Sequence, residues 1–354
     1  MRKESLEFLK DLIAAPSPSG FEQPAQAVVR ARMDEYADEI STDVHGNVTV
    51  VKNPDHPFRV MLAGHCDQVG MMVQHINDDG YLYFAAIGGI DPVIIIGTSV
   101  WVHGAKGPVR GVIGRKPIHL LSADERSNPK LSIDKLFIDI GAKDRKAAEK
   151  LVGLADAVTY ASEFAELDGD LVVAPGFDNK MGVCVIMEAF RTLAKRKLDC
   201  GLYAVATVQE ELGLRGAHTS AFRIDPAVGI AVDVTHASDY PGCDKSRQGD
   251  IKIGAGPTIA IGPNINPPLG RLLVDTADAN KIPYQIDPAP RGTGTDANAI
   301  QISRAGVAAA LISVPNRYMH TPIEIISLGD LGNASKLIAE TVAKIGPEMD
   351  FTPM

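Results

Sequence analysis

Apolar segments of the length of buried strands alternate with helix-like segments through most of this chain. The strand-like segments include FRVMLAG (58–64), GLYAVATVQ (201–209), VGIAVDVT (228–235) and AAALISVP (308–315). The helix-like segments include DNKMGVCVIMEAFRTLAKR (178–196) and LGDLGNASKLIAETVAKI (328–345). Strands that lack polar alternation are buried on both faces. The pattern therefore predicts a three-layer α/β/α domain, with helices on both faces of a mixed sheet.

One stretch, residues 71–162, breaks this alternation. Short apolar segments such as YLYFAAIG (81–88) and GPVRGVIG (107–114) are separated by Gly and Pro, a pattern typical of a small β-barrel or compact sheet. The chain has 354 residues, which exceeds the usual size of one domain. We therefore expect a discontinuous larger α/β domain of residues 1–70 and 163–354, with residues 71–162 inserted as a smaller β-rich domain.

Charge and composition argue against several kinds of partner. The formal net charge is −9 and no basic run is present, so nucleic-acid binding is not expected. No segment has the length of a membrane span, and the first helix-like segment spaces its Leu and Ile residues among charges, unlike a secretory signal. The four cysteines show no paired spacing, so we expect reduced thiols and a cytoplasmic location.

Two local patterns predict how the N-terminal region folds. Ser19 and Glu22 have the Ser-x-x-Glu spacing of a capping box, in which each side chain accepts a hydrogen bond from the other residue's backbone N–H. A helix is therefore expected to begin there. The segment DVHGN (43–47) resembles a hairpin turn, and it precedes an apolar strand.

Side chains with metal-binding chemistry stand where the predicted strands end. They are His65, Asp67, Glu210, Glu211, Asp233 and His320, together with Asp178 at the start of a helix. Because ligands in open α/β sheets bind outside the carboxyl ends of the strands, we expect these side chains to meet at one edge. Each alone has an ordinary explanation, such as a helix N-cap for Asp178. Burying five carboxylates and two imidazoles together without partners is costly, and a divalent cation would offset that cost.

The kind of metal follows from the ligand atoms. Imidazoles combined with carboxylates suit zinc, cobalt or manganese better than calcium, which prefers oxygen ligands alone. The anionic ligands balance two divalent ions better than one, and a bridging aspartate would hold such a pair about 3.5–4 Å apart. The sequence therefore predicts a two-metal hydrolase.

The motifs around these residues resemble a known family, the tetrahedral, self-compartmentalising metallo-aminopeptidases. This family includes glutamyl and deblocking aminopeptidases, and proteins long mislabelled endoglucanase M. The matching stretches cover nearly the whole chain in order: HCDQVG (65–70), GVIGRKPIHLL (111–121), APGFDNKMG (174–182), QEELGLRGA (209–217), AVDVTH (231–236), GTDANAIQ (294–301) and RYMHTP (317–322).

The resemblance implies a metal-dependent aminopeptidase that removes residues from the free N-terminus of short peptides. It also implies two divalent metal ions per subunit, zinc in the first place, with cobalt or manganese as alternatives. Asp178 would bridge the two ions. His65 and Asp233 would complete one metal site, and Glu211 and His320 would complete the other.

Two catalytic roles also follow from the resemblance. Asp67 would hold the ring of His65 and its tautomer. Glu210 would be the general base that deprotonates the attacking water and later passes the proton to the leaving amine. This chain departs from the family pattern at Gln68, where a glutamate is common, so a charge near the site is missing and metal affinity would shift. For His119 we expect a packing or interface role.

The position of the insertion separates this chain from related dinuclear enzymes. The insertion at residues 71–162 precedes Asp178, whereas dinuclear carboxypeptidases and deacylases carry their extra domain after the Glu-Glu pair. The resemblance implies that the inserted domain mediates dimerisation or acts as a lid. It further implies that dimers assemble into a hollow homo-oligomeric dodecamer.

Other functions stay open at this point. A deacylase or carboxypeptidase would use the same metal centre. An endoglucanase-type glycoside hydrolase would use paired carboxylates without metal, and this mechanism would leave His65 and His320 without a role. A non-catalytic peptide-binding shell is the third alternative. Arg291 and Arg317 would select acidic N-terminal residues if they faced the substrate, although surface or structural ion pairing is the interpretation we favour.

Overall fold

The computed structural model describes residues 2–123, 126 and 131–353. The strands in chain order are β1 (Glu39–Thr42), β2 (Val48–Lys52), β3 (Arg59–His65), β4 (Gly70–Ile76), β5 (Leu82–Ile87), β6 (Ser99–Gly104), β7 (Gly107–Gly114), β8 (Phe137–Asp139), β9 (Ala157–Tyr160), β10 (Ala165–Glu166), β11 (Leu171–Ala174), β12 (Gly201–Thr207), β13 (Val228–His236), β14 (Thr258–Ile261), β15 (Gln285–Pro288), β16 (Ala308–Asn316) and β17 (Glu324–Ser327). The helices named below are α1 (Lys3–Ala14), α2 (Gln23–Met33), α3 (Arg145–Ala148), α4 (Phe177–Ala194), α5 (Arg215–Ile224), α6 (Lys245–Gln248), α7 (Pro267–Ala279), α8 (Asp296–Gln301) and α9 (Leu328–Val342).

An eight-stranded mixed sheet lies at the centre of the fold, in the order β1-β2-β12-β3-β13-β16-β14-β15. Its four middle strands, β12, β3, β13 and β16, run parallel to one another, and β2 and β14 pair with them antiparallel. These four strands are buried along almost their whole length, which explains their continuous apolar sequences.

Helices cover both faces of this sheet. Gly64 of β3 faces the backbone of α4, and Gly229 of β13 faces Ile300 of α8. Gly229 pairs with Met61, and residues 61 and 64 of one strand point to opposite faces. Helices α4 and α8 therefore lie on opposite sides of the sheet, and the predicted α/β/α layering is confirmed.

A closed barrel is formed by the six strands between Gly70 and Tyr160, in the order β4-β5-β8-β7-β6-β9. Its interior is a separate hydrophobic cluster that includes Val102, Ile113 and Ile138. The expectation of a small barrel-like unit is confirmed as part of the fold. Of the expected insertion 71–162, residues 124, 125 and 127–130 lie outside the described residues. Among the described residues, every helix falls short of the length and hydrophobicity that crossing a membrane requires.

The two N-terminal predictions have opposite outcomes. The hairpin is confirmed, because β1 and β2 pair antiparallel with Thr42 opposite Val48. Helix α2 does begin at Gln23, but the capping box is wrong. The hydroxyl of Ser19 donates to the carboxylate of Asp67 at 2.7 Å, and the carboxylate of Glu22 accepts from the backbone N–H groups of Gly20 and Gln209. Ser19 thus bonds Asp67 beyond β3, and Glu22 bonds Gln209 beyond β12 as well as the nearby Gly20, so the two residues do not make the reciprocal bonds of a capping box.

Strand β3 and helix α4 approach each other closely at Gly64. A Cβ atom at this position would lie 2.9 Å from the carbonyl carbon of Gly182 and 3.0 Å from the backbone nitrogen of Val183. Backbone atoms cannot yield as a flexible side chain can, so we expect Gly64→Ala to lower the free energy of unfolding by about 1–3 kcal/mol. Urea unfolding of the purified variant measures this change.

Gly332 in α9 supplies the matched control, because a Cβ atom there meets nothing within 4 Å. Alanine favours a helix over glycine by about 1 kcal/mol, so Gly332→Ala is expected to raise stability slightly. Equal unfolding midpoints for Gly64→Ala and the unmodified protein would contradict the close approach of β3 and α4.

Candidate metal centre

The seven side chains predicted to meet lie together at the carboxyl edge of the parallel strands. They are His65 at the end of β3, Asp67 just beyond it, Asp178 at the start of α4, Glu210 and Glu211 after β12, Asp233 within β13, and His320 after β16. Five of them form two groups whose ligand atoms lie within 4.8 Å of one another. One group contains His65, Asp178 and Asp233. The other contains Asp178, Glu211 and His320.

Asp178 is common to both groups and presents one oxygen to each. Its Oδ1 lies 3.2 Å from Nε2 of His65, and its Oδ2 lies 3.2 Å from Nε2 of His320. Asp233 Oδ1 stands 3.8 Å from Nε2 of His65, and Glu211 Oε1 stands 3.3 Å from Nε2 of His320. This arrangement is the one expected of a carboxylate that bridges two cations.

The other nitrogen of each imidazole faces a backbone carbonyl. Nδ1 of His65 lies 3.0 Å from the carbonyl oxygen of Asp67, and Nδ1 of His320 lies 3.0 Å from that of Gly89. A carbonyl only accepts hydrogen bonds, so each Nδ1 carries a hydrogen and each Nε2 can offer its lone pair to a metal. The carboxylate of Asp67 is farther from His65, with Oδ1 3.4 Å from Nδ1. The backbone of Asp67 thus makes the shorter contact.

The carboxylate of Asp67 holds the turn that follows β12. It accepts hydrogen bonds from the backbone N–H groups of Glu210 and Glu211, at 3.0 and 3.2 Å, and from the hydroxyl of Ser19. Burial opposes ionisation of Asp67, but His65, Ser19 and the N–H of Glu210 outweigh it and lower the pKa of this carboxyl. The two adjacent glutamates then face different groups: Glu210 Oε2 lies 3.8 Å from Nε2 of His65, and Glu211 faces His320.

Negative charge is concentrated at this edge of the sheet. Burial and the carboxylates of Asp233 and Asp178 raise the pKa of Glu210 to about 10. Burial opposes protonation of His320, but Asp178 and Glu211 outweigh it and raise its pKa to about 11. The carboxylates therefore bind protons strongly when no other cation balances them.

The residues fit a divalent cation in each group. The ligand atoms are imidazole nitrogens and carboxylate oxygens, the set that zinc, cobalt and manganese accept. Oε1 of Glu211 is buried and has no hydrogen-bond partner, although it faces the imidazole of His320. A buried carboxylate oxygen without a hydrogen bond is costly, and a bound cation would satisfy it.

Glu324 belongs to the surroundings of the site, and sequence reasoning missed it. It is 1% exposed, and its carboxylate accepts hydrogen bonds from the backbone N–H groups of Asp178 and His320. The motif RYMHTP ends just before it, so the motif gave no reason to single it out. The available indication was an acidic residue within the short apolar strand EIIS, where a solvated carboxylate is not expected.

Two more buried ionisable side chains were missed, although both lie inside quoted motifs. Asp296 of GTDANAIQ accepts a hydrogen bond from Thr207 at 2.6 Å, and burial raises its pKa to about 7. Lys180 of APGFDNKMG is fully buried and donates to the carbonyl of Ala15 at 2.6 Å. Burial lowers the pKa of Lys180 to about 7. Neither belongs to the two groups of candidate metal ligands.

Three other residues singled out in the sequence belong to neither group of candidate metal ligands. Arg317 makes a two-pronged ion pair with Asp239, at 2.8 and 2.6 Å, so the structural ion pairing expected for it is confirmed. Gln68 is buried and its side chain faces Gly176 at the start of the α4 segment. His119 is exposed, so it has no packing role within its own subunit.

Comparison with known proteins identifies relatives along the whole chain. A family model described as M42 glutamyl aminopeptidase matches residues 46–337. The lysyl aminopeptidase of Pyrococcus furiosus is 38% identical over 351 residues, which cover 98% of this chain and 99% of the relative. The glutamyl aminopeptidase of Lactococcus lactis is 30% identical over 356 residues, with 98% of each chain covered.

Solved structures of similar proteins share the fold over nearly its full length. A TET aminopeptidase from a marine sediment thaumarchaeon has a TM-score of 0.93 and 36% identity, covering 98% of this chain and 97% of the other. The TET1 peptidase of Pyrococcus horikoshii has a TM-score of 0.85 and 31% identity, covering 96% and 100%. A Thermotoga maritima protein described as an endoglucanase has a TM-score of 0.78 and 30% identity, covering 95% and 96%.

Proposed function

This chain belongs to the M42 family of glutamyl aminopeptidases and is an aminopeptidase, a hydrolase of peptide bonds. We propose that its substrates are short peptides and that it binds two divalent cations to cleave them. The proposed ligands are His65, Asp178, Asp233, Glu211 and His320. The observation that carries the proposal is the position of Asp178. Its Oδ1 lies 3.2 Å from the imidazole of His65, and its Oδ2 lies 3.2 Å from the imidazole of His320. Zinc is the proposed metal, and cobalt or manganese would suit the same ligand atoms.

The protein residues around the cations would carry out the proton transfers. When bound, the two ions would lower the pKa of a water molecule and polarise the scissile carbonyl. Glu210 is the proposed general base, which takes a proton from the attacking water and gives it to the leaving amine. It lies beside the first group but is not one of its three members. Asp67 holds the backbone N–H of Glu210 and so orients its side chain.

The charge of the site suits the free N-terminus of a peptide. An α-ammonium group is a cation, and Glu210 and Asp296 add two carboxyl groups to those proposed to bind metal. Without metal their pKa values are raised, to about 10 and about 7, and the positive charge of the bound ions would lower both and favour the ionised carboxylates. Such negative charge favours a cationic end group over a neutral, blocked one. The attraction between these carboxylates and a free α-ammonium group supports hydrolysis from the N-terminus of the peptide.

The barrel within residues 71–162 is the proposed dimerisation or lid domain, and a hollow dodecamer is the proposed assembly. The P. horikoshii relative is described as assembling into a tetrahedron or a large octahedral shell. On the barrel side of this chain, Ile118 and Leu120 are 59% and 67% exposed on either side of His119, as expected of residues that another subunit covers. A cytoplasmic location is also proposed, with the four free cysteines in its support.

Removal of metal is expected to abolish peptide cleavage. Dialysis against EDTA should stop hydrolysis of a panel of aminoacyl p-nitroanilides, because the water then keeps its ordinary pKa. Adding Zn²⁺ or Co²⁺ should restore it, with about two ions bound per chain by mass spectrometry. N-acetylated peptides serve as the control and should not be cleaved. Cleavage that resists EDTA would exclude the two-metal proposal.

A further inference from the structure

Glu324 joins the backbones of two proposed metal ligands through one carboxylate. Oε2 accepts a hydrogen bond from the N–H of Asp178 at 2.9 Å, and Oε1 accepts one from the N–H of His320 at 3.1 Å. Asn316 also points its amide toward Oε2, at 3.4 Å. The side chain is 1% exposed, so water does not compete for these N–H groups.

The fold places Glu324 between the segments that deliver these two ligands. Strand β17 pairs with β11 so that Glu324 lies opposite Ala174, shortly before α4 and Asp178. On its other side, Arg317 and Ile325 exchange two backbone hydrogen bonds of 3.1 Å and close a loop that contains His320. One side chain therefore reaches both the loop and the start of α4.

The loop around His320 needs such support. His320 has a φ of +61°, in the left-handed region that residues other than glycine rarely adopt. Strained backbone of this kind persists only where the surrounding structure holds it. The hydrogen bond from the N–H of His320 to Glu324 is a contact that holds it directly.

We propose that Glu324 is a positioning residue that fixes His320 relative to the bridging Asp178 and thereby sets the affinity of the site for its second cation. This inference rests on the proposed two-metal function. Both oxygens of Glu324 accept backbone N–H groups, and Glu324 belongs to neither group of metal-binding side chains. Its effect on the metal therefore passes through Asp178 and His320. Residues that orient metal ligands typically change metal affinity by about 10–100-fold when they are mutated.

Two substitutions separate the length of the side chain from its carboxyl group. Glu324→Gln keeps the length but turns an –NH₂ group toward one backbone N–H, so one of the two hydrogen bonds is lost. Glu324→Asp keeps the carboxyl group but is one methylene too short to meet both N–H groups. Glu188→Gln is the matched control, because Glu188 is a buried glutamate on α4 that bonds Arg32, Arg191 and Ser5, away from the site.

The measurement is the affinity of each full-length variant for Zn²⁺, titrated against a chromogenic chelator, with melting temperatures alongside. We expect both Glu324 variants to bind one Zn²⁺ about 10–100-fold more weakly, while Glu188→Gln binds two ions as the unmodified protein does. Peptidase activity of the Glu324 variants should recover at high Zn²⁺ concentration, because a weakened site then fills.

The results distinguish this inference from the proposed function. If the unmodified protein binds no Zn²⁺, the two-metal function itself fails. If it binds two ions and a folded Glu324 variant binds both with unchanged affinity, only the positioning role is overturned. Equal losses of affinity in the Glu324 and Glu188 variants, in step with melting temperature, would show a purely structural effect and would also overturn it.

Discussion

Replacing Glu210 by Gln is expected to lower kcat by about 10²–10⁴-fold while both cations stay bound. Glutamine has nearly the same shape but cannot accept a proton from the attacking water. Glu210 is not a member of either group of candidate metal ligands, so we expect metal binding not to depend on it. Steady-state kinetics on an aminoacyl p-nitroanilide, with metal content measured on the same sample, tests both parts.

The neighbouring glutamate is the natural control. Glu211 Oε1 lies 3.3 Å from Nε2 of His320 and belongs to the second group. Glu211→Gln should therefore lose metal as well as activity, whereas Glu210→Gln should lose activity alone. If Glu210→Gln retained most of its activity, or lost as much metal as Glu211→Gln, the separate roles of the two glutamates would be wrong.

The fold and the proximity of the seven side chains could be predicted from the sequence. Both follow from local hydrophobic patterns and from the rule that ligands bind at the carboxyl ends of parallel strands. Apolar segments such as FRVMLAG identify the buried parallel strands, and parallel strands place their carboxyl ends at one edge. His65 and Glu210 follow such strands directly, so their proximity required no knowledge of loops. The resemblance to a family then added roles that spacing alone does not distinguish.

The supporting residues were not predictable in the same way, because their partners are distant in sequence. The Ser-x-x-Glu spacing suggests that Ser19 accepts a hydrogen bond from a nearby backbone N–H, but its hydroxyl instead donates to the carboxylate of Asp67, and hydrogen bonds to an ionised acceptor are the stronger kind. Glu324 acquires its role only when β17 pairs with β11 and the loop of His320 closes. Helical or strand periodicity carries no information about such pairings, so these contacts required the structure.

Substitution of Asp178, the proposed bridging ligand, is expected to have the largest effect. Asp178→Asn should lower kcat/KM by more than about 10³-fold, equivalent to about 4 kcal/mol of transition-state stabilisation. The reason is geometric: each oxygen of Asp178 faces one imidazole at 3.2 Å, and asparagine replaces one oxygen by an –NH₂ group that cannot bind a cation. The remaining oxygen cannot serve two ions in the same way.

Metal stoichiometry distinguishes a bridge from an ordinary ligand. His65→Ala and His320→Ala each remove one ligand from one group, so each variant should retain about one ion of the two. Asp178→Asn weakens both groups at once and should retain less metal than either histidine variant at the same free Zn²⁺ concentration. If Asp178→Asn held as much metal as the histidine variants, Asp178 would serve a single ion, and the shared carboxylate on which the two-metal mechanism depends would be ruled out.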